Sequence, residues 1–343
     1  MKPIQKRIMP ITSNNDIIHK IFSIRSQVEF DDLAMGLFRY QHDNNAVYKA
    51  YVNSIKQSVD VIKAVSDIPF LPISFFKTHH IICGDAADYN KVFSSSSTTS
   101  AVPSKHFVKD ISVYVESFRN GVSHFYGDVK EYCVLALLPS YLERDGSSLV
   151  FMADDLIRQS KHEKSGFYMD NYSELVKTLR QLQEKNQKIL LLGVTYALLK
   201  LAEEDPMLLK NTIIMETGGM KGRREELAKG EVHAILKSAF GVNVIHSEYG
   251  MTELLSQGYS KGDGIFKCPP WMRIVMRDLD DPFHLEFTNG KGAINVIDLA
   301  NIYSCSFIAT DDIGVLRSNG EFEIAGRIDF SDIRGCNLMA SEL

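Results

Sequence analysis

The chain has 343 residues, of which 45% are hydrophobic, and this is enough to fill a large core. Lysine and arginine number 38 against 43 acidic residues, so the net charge is -5, and the two signs are interspersed. The hydrophobic content excludes a disordered chain. The net charge excludes a protein that attracts nucleic acid or an anionic membrane through its overall charge. Any anionic ligand must therefore be held by a local site.

The N-terminus is basic at first but lacks the continuous apolar stretch of a signal peptide. No segment reaches the roughly 18 apolar residues of a membrane span. We therefore expect a cytoplasmic protein with neither a membrane nor a nucleic acid as partner. The five cysteines are Cys83, Cys133, Cys268, Cys305 and Cys336. Because they are odd in number and widely scattered, they fit neither a disulfide framework nor a zinc site. Most are expected to be buried thiols, and one is a candidate reactive thiol.

The first 80 residues place apolar side chains at intervals of three and four, which predicts helices over 16–24, 30–43 and 45–65. A segment punctuated by proline, SDIPFLPISFFKTHHI, closes this region. No repeat of fixed period is present.

Apolar runs alternate with helical stretches between about residues 90 and 250. The runs YCVLALLP, KILLLGVT, NTIIMETGG and VNVIHSEYG predict strands, and YALLKLAEE and RREELAKGEVHAILKSAF predict helices. Continuous apolar strands joined by helices indicate a sheet with parallel strands, buried on both faces. Beyond residue 260, short alternating segments with Asn-Gly turns predict antiparallel strands.

The predicted fold class is therefore α/β, with four regions in one domain. Residues 1–80 form a helical N-terminal region, 81–258 an α/β core, 259–325 an antiparallel β subdomain, and 326–343 a short tail.

Three polar loops follow predicted strands, where ligands of open α/β sheets bind. The stretch FSSSSTTSAVPSKH follows NKVF, ETGGMKGRR follows TIIM, and SEYGMTE follows VNVIH. On its own the serine-rich stretch is equally typical of a flexible linker. Together the loops offer hydroxyls, glycines, cations and a carboxylate, which is what a nucleotide with a metal ion requires. We expect all three loops to meet at the carboxyl ends of neighbouring strands.

Five motifs, in this order, resemble those of the adenylate-forming (acyl-activating) enzymes: SSSSTTSAVPSK, ETGGMKGR, EYGMTE, TDDIG and GRID. Within that superfamily they resemble the branch of the phenylacetate-CoA ligases and the acyl-protein synthetases of bacterial bioluminescence operons. The segments LPISFFKTHHI and DIRGCNL look like the acyl-protein synthetases in particular. The resemblance implies the large adenylating domain, a hinge at Asp329 and no small C-terminal domain.

The resemblance also implies binding of ATP and Mg²⁺. The implied nucleotide-binding residues are Ser95, Ser96, Ser97, Thr98, Thr99, Gly218, Gly219, Tyr249, Thr252, Asp312 and Arg327. In this scheme the serine and threonine hydroxyls bind the β- and γ-phosphates, and the ring of Tyr249 stacks on adenine. Thr252 donates to the α-phosphate, while Asp312 and Arg327 bind the ribose.

The residues implied in the reaction itself are Thr252, Glu253, Lys105 and Cys336. Glu253 is the implied ligand of Mg²⁺, and Lys105 adds positive charge at the phosphates. Cys336 matches the cysteine that receives the acyl group, and Arg334 beside it would stabilise a thiolate. A buried structural cysteine is the alternative for Cys336. Taken singly, the other motif residues also have structural alternatives: a core aromatic for Tyr249, a charge on a helix face for Glu253, and a turn for Asp312.

Two departures from the family pattern keep other functions open. Serine stands at Ser97 and Ser100, where the phosphate loop of the family has glycine, and Lys105 follows one residue later than usual. The expected function is ATP-dependent activation of a carboxylic acid as acyl adenylate, with acyl transfer to a thiol. The alternatives are an acid-CoA ligase or acyltransferase that uses coenzyme A, and a degenerate nucleotide-binding protein.

The acid is expected to be fatty or aryl, because Thr195, Tyr196 and Leu198 match positions that line the acyl pocket of the family and their surroundings are apolar. A reductase or a carrier protein is the expected type of acyl-accepting partner.

Overall fold

A computed structural model of the chain describes residues 14–55, 58–95, 102–138, 146–169, 171–218 and 227–328. The helices of this part are α1 (Asn14–Phe22), α2 (Gln27–Asn44), α3 (Ala46–Ser54), α4 (Phe75–Thr78), α5 (Ile111–Tyr126), α6 (Ser148–Ser160), α7 (Tyr172–Glu184), α8 (Thr195–Glu204) and α9 (Lys229–Phe240). The strands are β1 (Leu71–Pro72), β2 (Lys91–Ser94), β3 (Lys105–Val108), β4 (Cys133–Leu137), β5 (Gly166–Phe167), β6 (Ile189–Gly193), β7 (Thr212–Glu216), β8 (His246–Tyr249), β9 (Gly258–Ser260), β10 (Ile265–Lys267), β11 (Met272–Arg277), β12 (Leu285–Glu286), β13 (Gly290–Asp298), β14 (Phe307–Leu316) and β15 (Phe322–Arg327). In the described ranges, no helix combines the length and apolarity needed to cross a membrane.

Thirteen strands form one mixed sheet in the order β12-β11-β13-β14-β15-β10-β9-β8-β7-β6-β4-β5, with β1 beside β14. The strands β5, β4, β6, β7 and β8 pair in parallel, and the rest of the long path is antiparallel. Every residue of β4 and β6 is buried, as the continuous apolar runs predict for parallel strands with both faces covered. The α/β fold class is confirmed.

The serine-rich stretch follows strand β2, which is not part of this sheet. Among the described strands, β2 pairs with β3 alone, antiparallel, and Ser94 faces Lys105 at the end of their ladder. The expectation that the serine-rich loop follows a strand of the open α/β sheet is therefore wrong. β3 is the next strand along the chain after β2, so the two form a hairpin that pairs with no other described strand.

The N-terminal helices pack onto the antiparallel half of the sheet. α2 begins at a capping box in which Ser26 and Glu29 exchange hydrogen bonds. Its buried Gln41 donates to the carbonyl oxygens of Asn301 and Ile302 at 2.8 and 2.9 Å. This helical region is therefore anchored to the segment between β13 and β14.

Two sequence predictions differ from the observed helices. The third predicted helix, 45–65, ends at Ser54, and a 3₁₀ turn follows at Val59–Val61 because the Ser58 hydroxyl caps it. The helices α5, α6 and α7 were not predicted. The boundaries of the four predicted regions stay a prediction, although the α/β and antiparallel parts share one sheet.

The described cysteines are unpaired, and three of them are buried, as predicted: Cys83, Cys133 and Cys305. Burial raises the pKa of Cys83 to about 12 and that of Cys133 to about 11. Burial also raises the pKa of the Cys268 and Cys305 thiols. A thiolate is the nucleophilic form of cysteine, so burial disfavours the reactive form of these four thiols.

Candidate active site

The hairpin that carries the serine-rich run lies against the loop that carries Thr252 and Glu253. At the base of the hairpin, Ser95 N donates to Ser104 O at 3.0 Å, and Ser104 N donates to the Ser95 hydroxyl at 2.9 Å. The Ser104 side chain lies near the Glu253 carboxyl and lowers its pKa, and His106 Nδ1, two positions further along β3, lies 2.9 Å from the carbonyl oxygen of Thr252. The structure thus brings together two of the loops that the motif order predicts to meet.

Glu253 is a buried carboxyl group, 5% exposed, in a loop after β8 rather than on a helix face. Burial raises its pKa, and the Ser104 side chain and the nearby charges of Lys77 and Arg327 oppose that rise. Among the described residues no cluster of three or more metal-ligating side chains occurs. A single carboxylate fits Mg²⁺, which commonly takes one or two protein carboxylates and completes its shell with phosphate and water oxygens.

Two buried side chains hold the backbone of the Thr252–Glu253 loop. His106 Nδ1 lies 2.9 Å from the carbonyl oxygen of Thr252, and its Nε2 lies 3.1 Å from Asn301 Oδ1. Asn301 Nδ2 donates to the carbonyl oxygen of Glu253 at 2.9 Å. Hydrogen-bonding contacts therefore hold the backbone at both Thr252 and Glu253, the two residues to which the EYGMTE motif gives a role in the reaction.

Asp298, at the end of β13, fixes the next turn of the same loop. Its carboxylate accepts from Leu255 N at 2.7 Å, from Ser256 N at 3.0 Å, and from the Ser256 hydroxyl at 2.5 Å. A fourth bond comes from Ala300 N at 3.1 Å. Burial raises the pKa of Asp298 to about 6, although these donors favour the ionised form. The carboxylate therefore ties the end of β13 to the loop that follows Glu253.

Tyr249 on β8, Asp312 on β14 and Arg327 on β15 are joined by hydrogen bonds. The Tyr249 hydroxyl donates to Asp312 Oδ2 at 2.9 Å, and Arg327 Nε donates to Asp312 Oδ1 at 2.9 Å. The Arg327 side chain is 79% exposed, whereas Tyr249 is 7% exposed, with its ring edge-on to Phe322. Each carboxylate oxygen of Asp312 retains a lone pair for a further donor, such as a ribose hydroxyl.

Gly218 follows β7 in the left-handed region, with φ +68°, and a side chain there would meet open space. Its N–H donates to Glu216 Oε2 at 2.8 Å, and the Thr195 hydroxyl donates to the same oxygen at 3.1 Å. Burial opposes ionisation of Glu216, but His233 and Lys229, with Nζ at 3.0 Å, outweigh it and lower the pKa. Glu216 thus joins the start of the glycine loop to the N-terminus of α8.

Several predicted residues lie outside the described residues: Ser96, Ser97, Thr98, Thr99, Gly219, Asp329 and Cys336. Lys105 is described and exposed at the start of β3. The assigned roles of all these residues stay predictions.

Sequence reasoning gave no role to five residues that surround the loops: Lys77, Ser104, His106, Asp298 and Asn301. Three of them lay within quoted stretches, namely PISFFKTHH and VPSKH. Asp298 and Asn301 begin and end the segment DLAN. No local pattern in this segment predicts contacts with a loop more than 40 positions earlier.

Comparison with known proteins assigns the chain to a family. The sequence model of the family described as "Acyl-protein synthetase, LuxE" matches residues 23–343. The chain belongs to this family. It is 23% identical to a long-chain-fatty-acid–luciferin-component ligase of Aliivibrio fischeri, over 92% of this chain and 89% of that protein. A ligase of the same name from Vibrio harveyi is 21% identical, over 98% and 95% of the two chains. The recognised family is confirmed, and this acyl-protein synthetase is an ATP-dependent ligase.

Solved structures support the fold. A 2-hydroxyisobutyryl-CoA ligase in complex with 2-HIB-AMP and CoA superposes with a TM-score of 0.66 at 12% identity, over 93% of this chain and 70% of that one. ATP-bound MatB from Rhodopseudomonas palustris superposes with a TM-score of 0.54 at 15% identity. The likeness to MatB covers 72% of this chain but only 49% of that longer protein. The fold is therefore that of the adenylate-forming enzymes.

Proposed function

We propose that this acyl-protein synthetase activates a fatty acid with ATP and Mg²⁺ at the junction of the β2–β3 hairpin and the Thr252–Glu253 loop. The observation that carries the proposal is the contact between His106 Nδ1 on the hairpin and the carbonyl oxygen of Thr252, at 2.9 Å. It supports a site in which the hydroxyl-rich run and the metal-binding carboxylate face the same triphosphate.

The residues of the chain have distinct tasks in this proposal. The hydroxyls of the run and Lys105 bind the phosphates, and the Thr252 side chain positions the α-phosphate for attack by the carboxylate of the acid. Asp312 and Arg327 hold the ribose. Glu253 would hold Mg²⁺, which supplies charge neutralisation at the phosphates when bound. Adenylation then depends on the alignment of the carboxylate with the α-phosphate and on preorganised charges that stabilise the phosphates. None of these residues forms a covalent bond with the substrate.

A fatty acid is favoured over an aryl acid by the names of both relatives, which are long-chain-fatty-acid ligases. The buried Leu198 near the start of α8 and the buried Thr195 agree with an apolar pocket wall. An aryl acid remains the alternative substrate in the test below.

Cys336 is the proposed first acceptor of the acyl group. The thiol releases its proton to water, its sulfur attacks the carbonyl carbon of the acyl adenylate, the bond from that carbon to the phosphate oxygen breaks, and AMP leaves as the anion. The high pKa values of the four described cysteines support this choice, because their thiolates are suppressed. Coenzyme A is the alternative acceptor, and a reductase or a carrier protein in the cytoplasm is the proposed final acceptor.

The test has two stages. Exchange of labelled pyrophosphate into ATP, dependent on a panel of fatty and aryl acids, reports adenylation. Incubation with ATP and radiolabelled fatty acid then reports the acceptor. We expect exchange with fatty acids, labelling of the wild-type protein, and no labelling of Cys336→Ser with exchange retained.

Each other result excludes a part of the proposal. No exchange with any acid would leave a degenerate nucleotide-binding protein. Equal labelling of both proteins would remove Cys336 as the acceptor, and formation of acyl-CoA without labelled protein would favour the CoA ligase.

A further inference from the structure

The buried imidazole of His106 connects the two loops of the proposed site. His106 lies on β3, two positions after Ser104, and is 1% exposed. Its two ring nitrogens face the carbonyl oxygen of Thr252 at 2.9 Å and Asn301 Oδ1 at 3.1 Å. Since Asn301 also holds the carbonyl of Glu253, a histidine and an asparagine together fix two consecutive carbonyl groups.

A neutral imidazole has only one N–H to share between these two contacts. Burial lowers the pKa of His106 to about 4, so the ring is neutral near neutral pH. The Thr252 carbonyl and Asn301 Oδ1 both only accept, so the single N–H serves one of them, and the contact with Thr252 is the shorter. This favours the tautomer in which Nδ1 carries the proton and donates to Thr252.

The packing around the ring is apolar and does not itself require a histidine. Phe76 on α4 meets the His106 ring edge-on, with centroids 5.8 Å apart. A phenylalanine at position 106 would keep such a ring contact. The polar contacts with Thr252 and Asn301 are therefore the features that the imidazole supplies and a phenylalanine would not.

We propose that His106 is a positioning residue for adenylation. Through Nδ1–H it fixes the Thr252 carbonyl, and so it sets the Glu253 carboxyl and the Thr252 hydroxyl against the hairpin that carries the phosphate-binding run. This inference rests on the proposed function, and His106 acts through these two residues without contacting substrate itself.

Three variants test the inference in the pyrophosphate exchange assay. His106→Asn places a side-chain N–H near the position of Nδ1, whereas His106→Gln places one near Nε2. Phe76→Leu is the matched control, because it loosens the packing around the ring and leaves both nitrogens in place. ATP and Mg²⁺ are titrated separately, and the melting temperature of each variant is recorded.

We expect His106→Gln to lower the maximal exchange rate by about 10²-fold, the cost of a misplaced catalytic group. It should also raise the Mg²⁺ concentration needed for half-maximal rate, with the KM for ATP nearly unchanged. His106→Asn should recover about tenfold of the lost rate, which corresponds to one restored hydrogen bond. Phe76→Leu should lower the melting temperature without changing the Mg²⁺ requirement.

Failure of the inference is distinct from failure of the proposed function. If the wild-type protein shows no exchange with any acid, the proposed function fails and takes the inference with it. If the wild type is active and both amide variants match it, His106 has no positioning role. If His106→Gln retains the exchange rate and His106→Asn does not, the assignment of the N–H to Nδ1, facing Thr252, is overturned. If one of the amide variants does not fold, His106→Phe is tested in its place. Full exchange activity of the His106→Phe protein would also overturn the proposal.

Discussion

The parallel and antiparallel halves of the sheet bury very different side chains. In the parallel half, β4 and β6 are buried along their whole length and are almost entirely apolar. From β13 to β14, by contrast, the chain buries a series of polar residues: Asn295, Asp298, Asn301, Ser304, Ser306, Thr310 and Asp312. Buried polar groups are costly unless they are hydrogen-bonded, so their concentration in one segment requires an explanation.

The partners of these polar residues supply that explanation. Asp298 and Asn301 hold the loop of Thr252 and Glu253, Asp312 binds Tyr249 and Arg327, and Ser306 N donates to Gln41 on α2. The strands β4 and β6 thus form a scaffold held by apolar packing, while the segment from β13 to β14 positions the proposed site by hydrogen bonds. Substitutions within β4 and β6 should change stability alone, and those from β13 to β14 should also change activity or its dependence on conditions.

The largest effect is expected at Glu253. Glu253→Gln should lower pyrophosphate exchange at least about 10²-fold, because it removes the charged oxygen ligand of Mg²⁺. The melting temperature should stay equal or rise, since burial already disfavours the charge, as the raised pKa indicates. Exchange and thermal unfolding of the same preparation check both points. Unchanged exchange would remove Glu253 from the site.

Asp298→Asn should destabilise the protein by about 1–3 kcal/mol near neutral pH, because an amide N–H₂ would face backbone N–H donors. The pKa of Asp298 is raised from 3.8 to about 6 by burial, so its contribution to stability is present below the unfolded-state pKa and is lost as pH rises through about 6. Between about pH 4 and pH 7 this group should lower the free energy of unfolding of the wild type by up to about 3 kcal/mol.

Urea unfolding across that pH range measures the effect, and the asparagine variant should lack this part of the slope. Leu191→Ala is the control from the parallel half, because Leu191 is fully buried in β6. It should cost about 2–5 kcal/mol at every pH. Identical pH profiles for wild type and Asp298→Asn would show that the carboxyl does not titrate in this range.

The smallest effect is expected at the ribose site. Asp312→Ala should raise the KM for ATP about tenfold and leave kcat little changed, because ribose contacts are made equally in the ground and transition states. Initial-rate kinetics over a range of ATP concentrations separates the two constants. A defect in turnover with an unaltered KM would contradict the assigned role.

The parts of the molecule that could be predicted from sequence are those with short-range signals. The apolar runs at 133–137 and 189–193 predict the buried strands. As expected, the motif ETGG begins at the last residue of β7, and the motif EYGMTE begins in the last two residues of β8. The place of the serine-rich run could not be predicted in the same way. Four residues of strand pattern before it are compatible with a parallel sheet or with a hairpin, and only the pairing partner distinguishes the two.

The supports of the site were beyond sequence reasoning for a different reason. His106 and Asn301 are 195 positions apart, and Asp298 lies 42 positions after Ser256, so no local pattern predicts these contacts. A buried histidine or aspartate also has no distinct signature in sequence, because the same residues are common on surfaces.

The sequence by itself determined the α/β class, the order of the motifs and the family resemblance, since periodicity and motif spacing are properties of the chain. Only the tertiary structure decided that the hairpin stands apart from the main sheet, and that Ser104, His106 and Asn301 join it to the loop of Glu253. Hydrogen bonds between distant segments depend on where the packing of the core places their backbones, and that placement is a property of the whole fold.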